Sequence, residues 1–212
     1  MTASLAAQEA QVDSLQENSI RMEAGMGISG MLTPSVWNYI NTSVDIPDAQ
    51  KAGGFIGTSE FFFNADVRID SSWWIGLEYN YGLWSHSWDG GAGLWDYEEQ
   101  LQMPAMSLHY LIRSNHSFLR LGGSIGYYIS DLSQGLDQGQ MIVYRAHGIG
   151  LKTDAVADMA FSDHVFCSLI VDIRGCVGSS FTNNGAELSY MGTTPQMSFF
   201  SAGIKFGINY QF

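Results

Sequence analysis

The sequence predicts an all-β fold: an eight-stranded antiparallel up-and-down β-barrel that spans a membrane, with short turns at one end and four long loops at the other. The composition points this way, because only 14% of the 212 residues are charged while 13% are aromatic and 24 are Gly. Apolar and polar residues alternate with a period of two in eight segments, which is typical of strands with two unlike faces. Long and short connections alternate strictly between these segments, as an up-and-down membrane barrel requires.

Each predicted strand rests on its own run of alternating residues, and most runs exceed the roughly 5–6 residues common in soluble sheets. Leu101 and Met103 are out of phase with Met106, which predicts a β-bulge near Pro104. The runs begin at Ile20 and continue at residues 57–70, 73–84, 101–112, 118–129, 149–161, 165–174 and 200–212.

The connections fall into two classes, and an even number of strands puts both chain termini at the short-turn end. Residues 1–18 are expected to be a flexible N-terminal extension or the remnant of a signal peptide, and residues 19–212 to form the barrel. The short connections are 70–72, 113–117 and 162–164, and the long ones are 33–54, 85–100, 131–147 and 179–198.

The distribution of charge predicts which strand face is inside. One face carries most of the Gly and nearly all of the charge, and the other carries essentially none. An eight-stranded barrel has an interior only wide enough for side chains, so the charged, Gly-rich face is assigned to the lumen and the apolar face to lipid. A soluble lipocalin-like barrel with an apolar cavity is the alternative. The predicted luminal charge network consists of Arg21, Glu23, Glu60, Asp66, Arg68, Glu78, Arg120, Lys152, Asp154, Asp158, Asp172, Arg174 and Lys205.

Aromatic residues cluster at the ends of the lipid-facing runs, where two interfacial belts are expected of a membrane barrel. A core filled by aromatics would not place them at strand ends. The predicted aromatic girdle consists of Trp73, Tyr81, Tyr110, Tyr127, Phe161, Tyr210 and Phe212.

Two segments carry a resemblance to a known family. Residues 119–130 (LRLGGSIGYYIS) and 202–212 (AGIKFGINYQF) resemble strands of the small OmpA/OmpX-type barrels in the bacterial outer membrane protein β-barrel domain family. That family commonly ends in an aromatic strand read by the barrel-assembly machinery, so the resemblance implies that Tyr210 and Phe212 are the assembly signal. It also implies an integral outer-membrane location, with periplasmic termini and extracellular long loops.

The net charge of −12 argues against a nucleic-acid partner, since phosphates are bound by basic patches. The candidate partners are outer-membrane lipid and lipopolysaccharide, the barrel-assembly machinery, and an extracellular or membrane protein. The acidic long loops form either a repulsive, solvated rim or a binding surface. Their aromatic side chains either pack over the barrel mouth or contact a partner; these candidate loop contacts are Trp37, Tyr39, Trp88, Trp95 and Tyr97.

No catalytic constellation emerges from the predicted faces. A lipid-facing hydrolase triad lacks its His and acid, and an acyltransferase lumen would be apolar rather than charged. His86 near Asp89 and Asp96, and His147 near Asp154, are weak imitations of a protease site. Since there are two Cys and no clustered His, no metal or other cofactor is predicted.

The sequence therefore predicts a non-enzymatic integral membrane protein. Its barrel would display acidic loops or act as a small subunit of an outer-membrane assembly. The alternative is a narrow passive channel for small solutes or ions, in which luminal Gly residues such as Gly126 and Gly150 leave a thin aqueous path. A lipid-A-modifying enzyme is a third, less supported possibility.

Overall fold

The computed structural model describes residues 19–43, 51, 53–54, 56–89, 93–113, 117–136 and 139–212, with backbone only at Trp88, Asp89 and Leu136. The predicted extension at 1–18 lies outside these residues. The elements are β1 (Ile20–Leu32), α1 (Pro34–Ser43), β2 (Ile56–Arg68), β3 (Trp73–Asp89), β4 (Leu94–Arg113), β5 (Ser117–Leu136), β6 (Ile142–Ala160), β7 (Val165–Ser180), β8 (Thr182–Asn183), β9 (Ala186–Glu187) and β10 (Gln196–Gln211). In the described part of the chain, no helix has the length and apolar character that a membrane span requires.

The predicted eight-stranded antiparallel barrel is confirmed. Each of β1 to β6 pairs with its sequence neighbour, β6 pairs with β7, and β7 pairs with β10. The first and last strands then pair over twelve residues, from Arg21↔Gln211 to Leu32↔Phe200, which closes the barrel. The short strands β8 and β9 form a hairpin in the connection between β7 and β10. Closure removes all free sheet edges over the shared height of the strands.

The alternation seen in the sequence appears as two unlike walls. Outward side chains such as Ile28, Leu77 and Phe206 are apolar and more than 60% exposed. Inward side chains on the same strands are buried, and they include most of the charged residues. Such an exterior is stable only against hydrocarbon, because a large exposed apolar wall is unfavourable in water. This arrangement is the reverse of the lipocalin-like alternative.

The predicted β-bulge near Pro104 is wrong. The register between β3 and β4 is continuous from Trp73↔Tyr110 to Asp89↔Leu94. Leu101 and Met103 point into the barrel and are 2% exposed. They break the apolar phase because the lumen itself changes from charged to apolar at this height.

The segments predicted as loops are partly regular structure. Strands β3 to β6 continue past the apolar outer wall, so residues 85–89, 94–100, 131–136 and 142–147 remain in strands. In this extension the polarity of the two faces is inverted, with Trp84 and Leu132 buried inside and Ser85 and Ser87 exposed outside. Residues 34–43 form α1 rather than a loop. These segments alternate in the opposite phase to the strands below them, which is why they differ from the prediction of loops.

Two glycine positions test how tightly the lumen is filled. A Cβ atom built on Gly150 would overlap the ring of Tyr128, whereas one built on Gly57, on the outer wall, would meet nothing within 4 Å. We expect Gly150→Val to lower the free energy of unfolding by about 1–3 kcal/mol or more. Gly57→Val should leave it within about 0.5 kcal/mol of the parent. Urea titration in lipid vesicles measures both, and equal effects of the two substitutions would contradict a filled lumen.

Candidate functional site

The lower lumen, at the short-turn end, is organised around Arg120. The Arg120 guanidinium is fully buried, and its Nε donates to Asp158 Oδ2 at 2.6 Å. Its Nη2 also donates to both carboxylate oxygens of Glu23, at 3.0 and 3.1 Å. Beside this cluster, Arg21 Nη2 lies 2.6 Å from Asp66 Oδ2, and the Arg21 guanidinium stacks over Trp74 at 4.9 Å. The Arg120–Glu23 contact joins β5 to β1 across the lumen, whereas the other two ion pairs join neighbouring strands.

The middle of the lumen holds two further clusters. In one, Lys152 Nζ lies 2.5 Å from Glu78 and 2.7 Å from Asp154, and His109 Nε2 lies 3.1 Å from Asp154. The second joins two cations and two acids from three strands, β2, β7 and β10. Its contacts are Arg174 to Glu60 (3.1 Å), Arg174 to Asp172 (2.9 Å), Lys205 to Glu60 (2.8 Å) and Lys205 to Asp172 (2.9 Å).

Taken together, these contacts give every acid of the predicted luminal set a cationic partner. All members except Arg68 are buried; Arg68 is half-buried near the short-turn end and takes part in none of these described pairs. Buried charges persist only when paired and hydrogen-bonded. His109, which is not in the predicted set, also belongs to the network through its contact with Asp154.

The glycines that could have left a water path face large side chains instead. A Cβ on Gly25 or Gly207 would lie within 3 Å of the Phe62 ring, and Gly126 and Gly150 both face Tyr128. The small residues therefore make room for neighbouring rings. A glycine on one strand leaves space that a ring from another strand occupies, so the lumen is filled.

The upper lumen is an apolar plug. Helix α1 begins at Pro34, a residue suited to the first helical position, and buries Val36, Trp37, Tyr39 and Ile40. The Trp37 ring lies 6.0 Å from that of Trp84 on β3. The Tyr39 hydroxyl donates to Gln134 at 2.9 Å. The other buried side chains of this mouth plug are Met31, Tyr97, Leu101, Met103, Tyr128, Leu132, Ala146, Cys176, Phe181, Leu188, Met197 and Phe199.

The candidate loop contacts thus fall largely inside the molecule. Trp37, Tyr39 and Tyr97 are buried in the plug, and Trp95 packs against it half-buried. The side chain of Trp88 lies outside the described residues. These positions correspond to packing over the mouth, which leaves the described aromatics little surface for a partner.

Glu99 is a buried carboxylate on β4, within the segment 85–100 that the sequence predicts as a loop. It points inward from β4 at 2% exposure, among the plug residues. Its Oε2 accepts a hydrogen bond from Trp84 Nε1 at 2.6 Å, and its Oε1 accepts one from Ser130 Oγ at 2.5 Å. The neighbouring outward residues are Glu98 and Gln100, so Glu99 lies above the apolar band. Burial raises the pKa of Glu99, although the two hydrogen bonds oppose this shift.

The outer face of the β3–β6 extension carries most of its polar and charged side chains, beside exposed Leu94 and Val143. Ser87 Oγ donates to Asp96 at 2.5 Å, and Gln100 Nε2 donates to Glu98 at 2.8 Å. Arg145 makes a bidentate contact with Asp131 at 2.6 and 2.8 Å. We call this surface the outer polar face. Among its described charged residues three are acidic and only Arg145 is basic, so it carries negative charge.

The predicted girdle residues all lie on the outer wall. Trp73 and Tyr110 meet edge to face at 5.1 Å, and Tyr210 and Phe212 do so at 4.6 Å. Phe161 is 82% exposed at the same end. Tyr81 and Tyr127 lie near the middle of β3 and β5, where the apolar outer wall gives way to the polar extension, so the aromatics occupy both borders of the apolar band.

The weak protease imitation around His147 is not assembled. His147 stacks on Tyr127 at the outer wall, with ring centroids 5.6 Å apart. Asp154 binds Lys152 and His109 in the lumen instead. The side chain of Asp89, the candidate partner of His86, is outside the described residues, and Asp96 accepts its hydrogen bond from Ser87.

Comparisons with known proteins agree with the barrel. No protein-family model and no curated protein sequence matches the chain. The fold is similar to that of Neisserial surface protein A, with a TM-score of 0.59, 12% identity, and coverage of 91% of this chain and 97% of that one. It is also similar to Ail, the attachment invasion locus protein of Yersinia pestis, in complex with the heparin analogue sucrose octasulfate. There the TM-score is 0.56 at 9% identity, covering 92% and 99%. The fold is that of a small outer-membrane β-barrel, which confirms the resemblance.

The luminal and surface ion pairs should differ sharply in their importance. Replacing Arg120 by Met leaves Glu23 and Asp158 buried without their cation, and we expect this to lower the free energy of unfolding by about 3–5 kcal/mol. Replacing Arg145 by Met breaks an exposed pair and should cost less than about 1 kcal/mol. Denaturant titration of both variants in the same vesicles is the measurement. A similar loss for the two would mean that the network does not stabilise the barrel.

Proposed function

We propose that this chain is a non-enzymatic integral outer-membrane protein whose barrel anchors a protruding sheet at the cell surface. The observation that carries the proposal is the continuation of β3–β6 beyond the apolar band, above a lumen filled by ion pairs and by the mouth plug. A filled lumen favours anchoring over transport. The β3–β6 extension gives the anchor a surface to present.

The proposed orientation puts the termini and short turns in the periplasm and the extension outside. In this orientation Tyr210 and Phe212 lie at the periplasmic end of β10, where the barrel-assembly machinery would read them. The aromatic girdle then contacts the interfaces of outer-membrane lipid and lipopolysaccharide. The luminal charge network acts as the internal brace.

The charge of the outer polar face narrows the class of partner. Ail has been crystallised with a heparin analogue, which is a polyanion. Asp96, Glu98 and Asp131 would repel a polyanion, since only Arg145 offsets them among the described residues of this face. We therefore infer a cationic partner, in the form of a basic protein surface or of divalent cations bridging to lipopolysaccharide.

The channel alternative has a direct test. We expect the purified protein to show no discrete conductance steps in a planar lipid bilayer, because the ion pairs and rings fill the lumen. The matched control is a variant that widens the lumen, Phe62→Ala, whose ring faces Gly25 and Gly207. Reproducible steps from the parent protein would overturn the closed-anchor proposal and favour a narrow channel.

The surface role is tested with the protein held in nanodiscs. We expect it to bind immobilised polylysine and not heparin, with binding that weakens as salt rises. The double variant Asp96→Asn/Glu98→Gln should bind roughly tenfold more weakly, since each lost contact at a charged surface removes a fraction of a kcal/mol or more. Asp163→Asn, in the opposite turn, is the control and should not change binding. Equal binding by all three proteins would refute a role for the outer polar face.

A further inference from the structure

Glu99 differs from the acids of the luminal charge network. Each of those seven carboxylates contacts a Lys or Arg. Among the described residues, by contrast, the hydrogen bonds to the two oxygens of Glu99 come from the neutral groups of Trp84 and Ser130. It is 2% exposed, so water cannot replace a missing cation. A buried carboxylate in such surroundings favours its neutral, protonated form. Its charge state is therefore sensitive to pH.

One of the two hydrogen-bond donors links Glu99 to helix α1. Trp84 donates its indole N–H to Glu99, and the same ring packs against Trp37 of α1. Trp37 is 8% exposed and donates its own indole N–H to the carbonyl of Gly54. A change at Glu99 thus reaches the helix through a single intervening side chain.

We propose that Glu99 is a proton-dependent latch for the mouth plug: α1 stays seated while Glu99 is protonated and loosens once Glu99 is ionised. Ionisation places a negative charge among apolar side chains, and in the described part of the chain no ion pair offsets it. The charge can be hydrated only if the plug opens. The ion pairs below the plug are separate from this event, so the barrel wall stays closed.

The other groups around Glu99 stay neutral or remain paired in the relevant pH range. Tyr97 and Tyr128 belong to the same cluster, and Tyr39 lies on α1. Burial raises the pKa of Tyr39 to about 12 and also raises that of Tyr97. The Cys176 thiol is buried on β7, and Arg174 below it is engaged by Glu60 and Asp172.

His86, on β3, is another titratable side chain that faces the mouth. It lies two residues beyond Trp84 on the same strand face and is exposed. Because it faces the same mouth as α1, it needs its own control. Glu98 provides another control, because it is adjacent to Glu99 but lies on the outer polar face.

The direction of the effect follows from the raised pKa of Glu99. Below the ordinary range of a glutamate, both the seated and the open plug hold the proton. As pH rises through that range, the open form loses its proton first, so the seated form is progressively disfavoured. The preference for the seated form over the open form stops decreasing once pH exceeds the raised pKa of Glu99 in the seated form.

Hydrogen exchange of α1 measures the latch in the full chain embedded in nanodiscs. At each pH the exchange rate of residues 33–43 in the parent is divided by that of Glu99→Gln, which cancels the intrinsic pH dependence of exchange. We expect this ratio to be near one in acid and to rise to roughly tenfold or more in alkali, as expected for an unpaired buried charge. Residues 149–159 of β6 should remain protected throughout. A ratio that does not change with pH overturns the proposal.

Three further variants make the test specific. Glu98→Gln and His86→Gln should follow the parent at every pH, and loss of the pH dependence in either one would overturn the assignment to Glu99. Ser130→Ala keeps the carboxyl group but removes a hydrogen bond that favours its charged form. The midpoint pH at which the plug opens should then be higher than in the parent. An unchanged midpoint, or one moved to lower pH, would overturn the latch even if Glu99→Gln failed to fold.

Discussion

Eight strands enclose a lumen just wide enough for side chains, so the charged groups that line it are removed from bulk water and must satisfy one another. Arg120, Arg174 and Lys152 each bind two carboxylates that come from different strands. The network therefore cross-links the barrel wall from within. The apolar exterior, the spacing of the glycines and the position of the plug all conform to this constraint.

The lumen is divided into two chemically different layers. Ion pairs fill the lower and middle parts, and aromatic and aliphatic side chains from α1, the strands and the β7–β10 connection fill the mouth. Tyr128 lies at the boundary, with its ring over Gly126 and Gly150 and stacked on Phe199 at 6.2 Å. Because the upper layer has no cation of its own among the described residues, Glu99 is held there by neutral donors alone.

The sequence predicts the barrel well because its strand faces differ so strongly in polarity, and the seven luminal acids with their cations follow from parity alone. The prediction fails where the polarity of the two strand faces is inverted. Above the apolar band Trp84 and Leu132 face inward and Ser85 faces outward, so segments such as 94–100 read as loop. For the same reason Glu99 falls in a predicted loop, and the phase of Leu101 and Met103 leads to the wrong prediction of a bulge. Helix α1 was missed because burial of Trp37 and Tyr39 depends on tertiary contacts rather than on a local pattern.

The barrel rim is uneven in height. Leu83 is the last residue of β3 that pairs with β2, opposite Ser59, and β3 runs six residues past it, which is roughly 20 Å of extended chain. In the described part of the chain this extension belongs to the β3–β6 half of the wall, whereas β1 and β2 are thirteen residues long. Molecules diffusing laterally in the membrane plane therefore meet two unlike flanks. Neighbours can pack closely against the low flank, while the tall flank keeps bulky structures on its own side of the membrane at a distance.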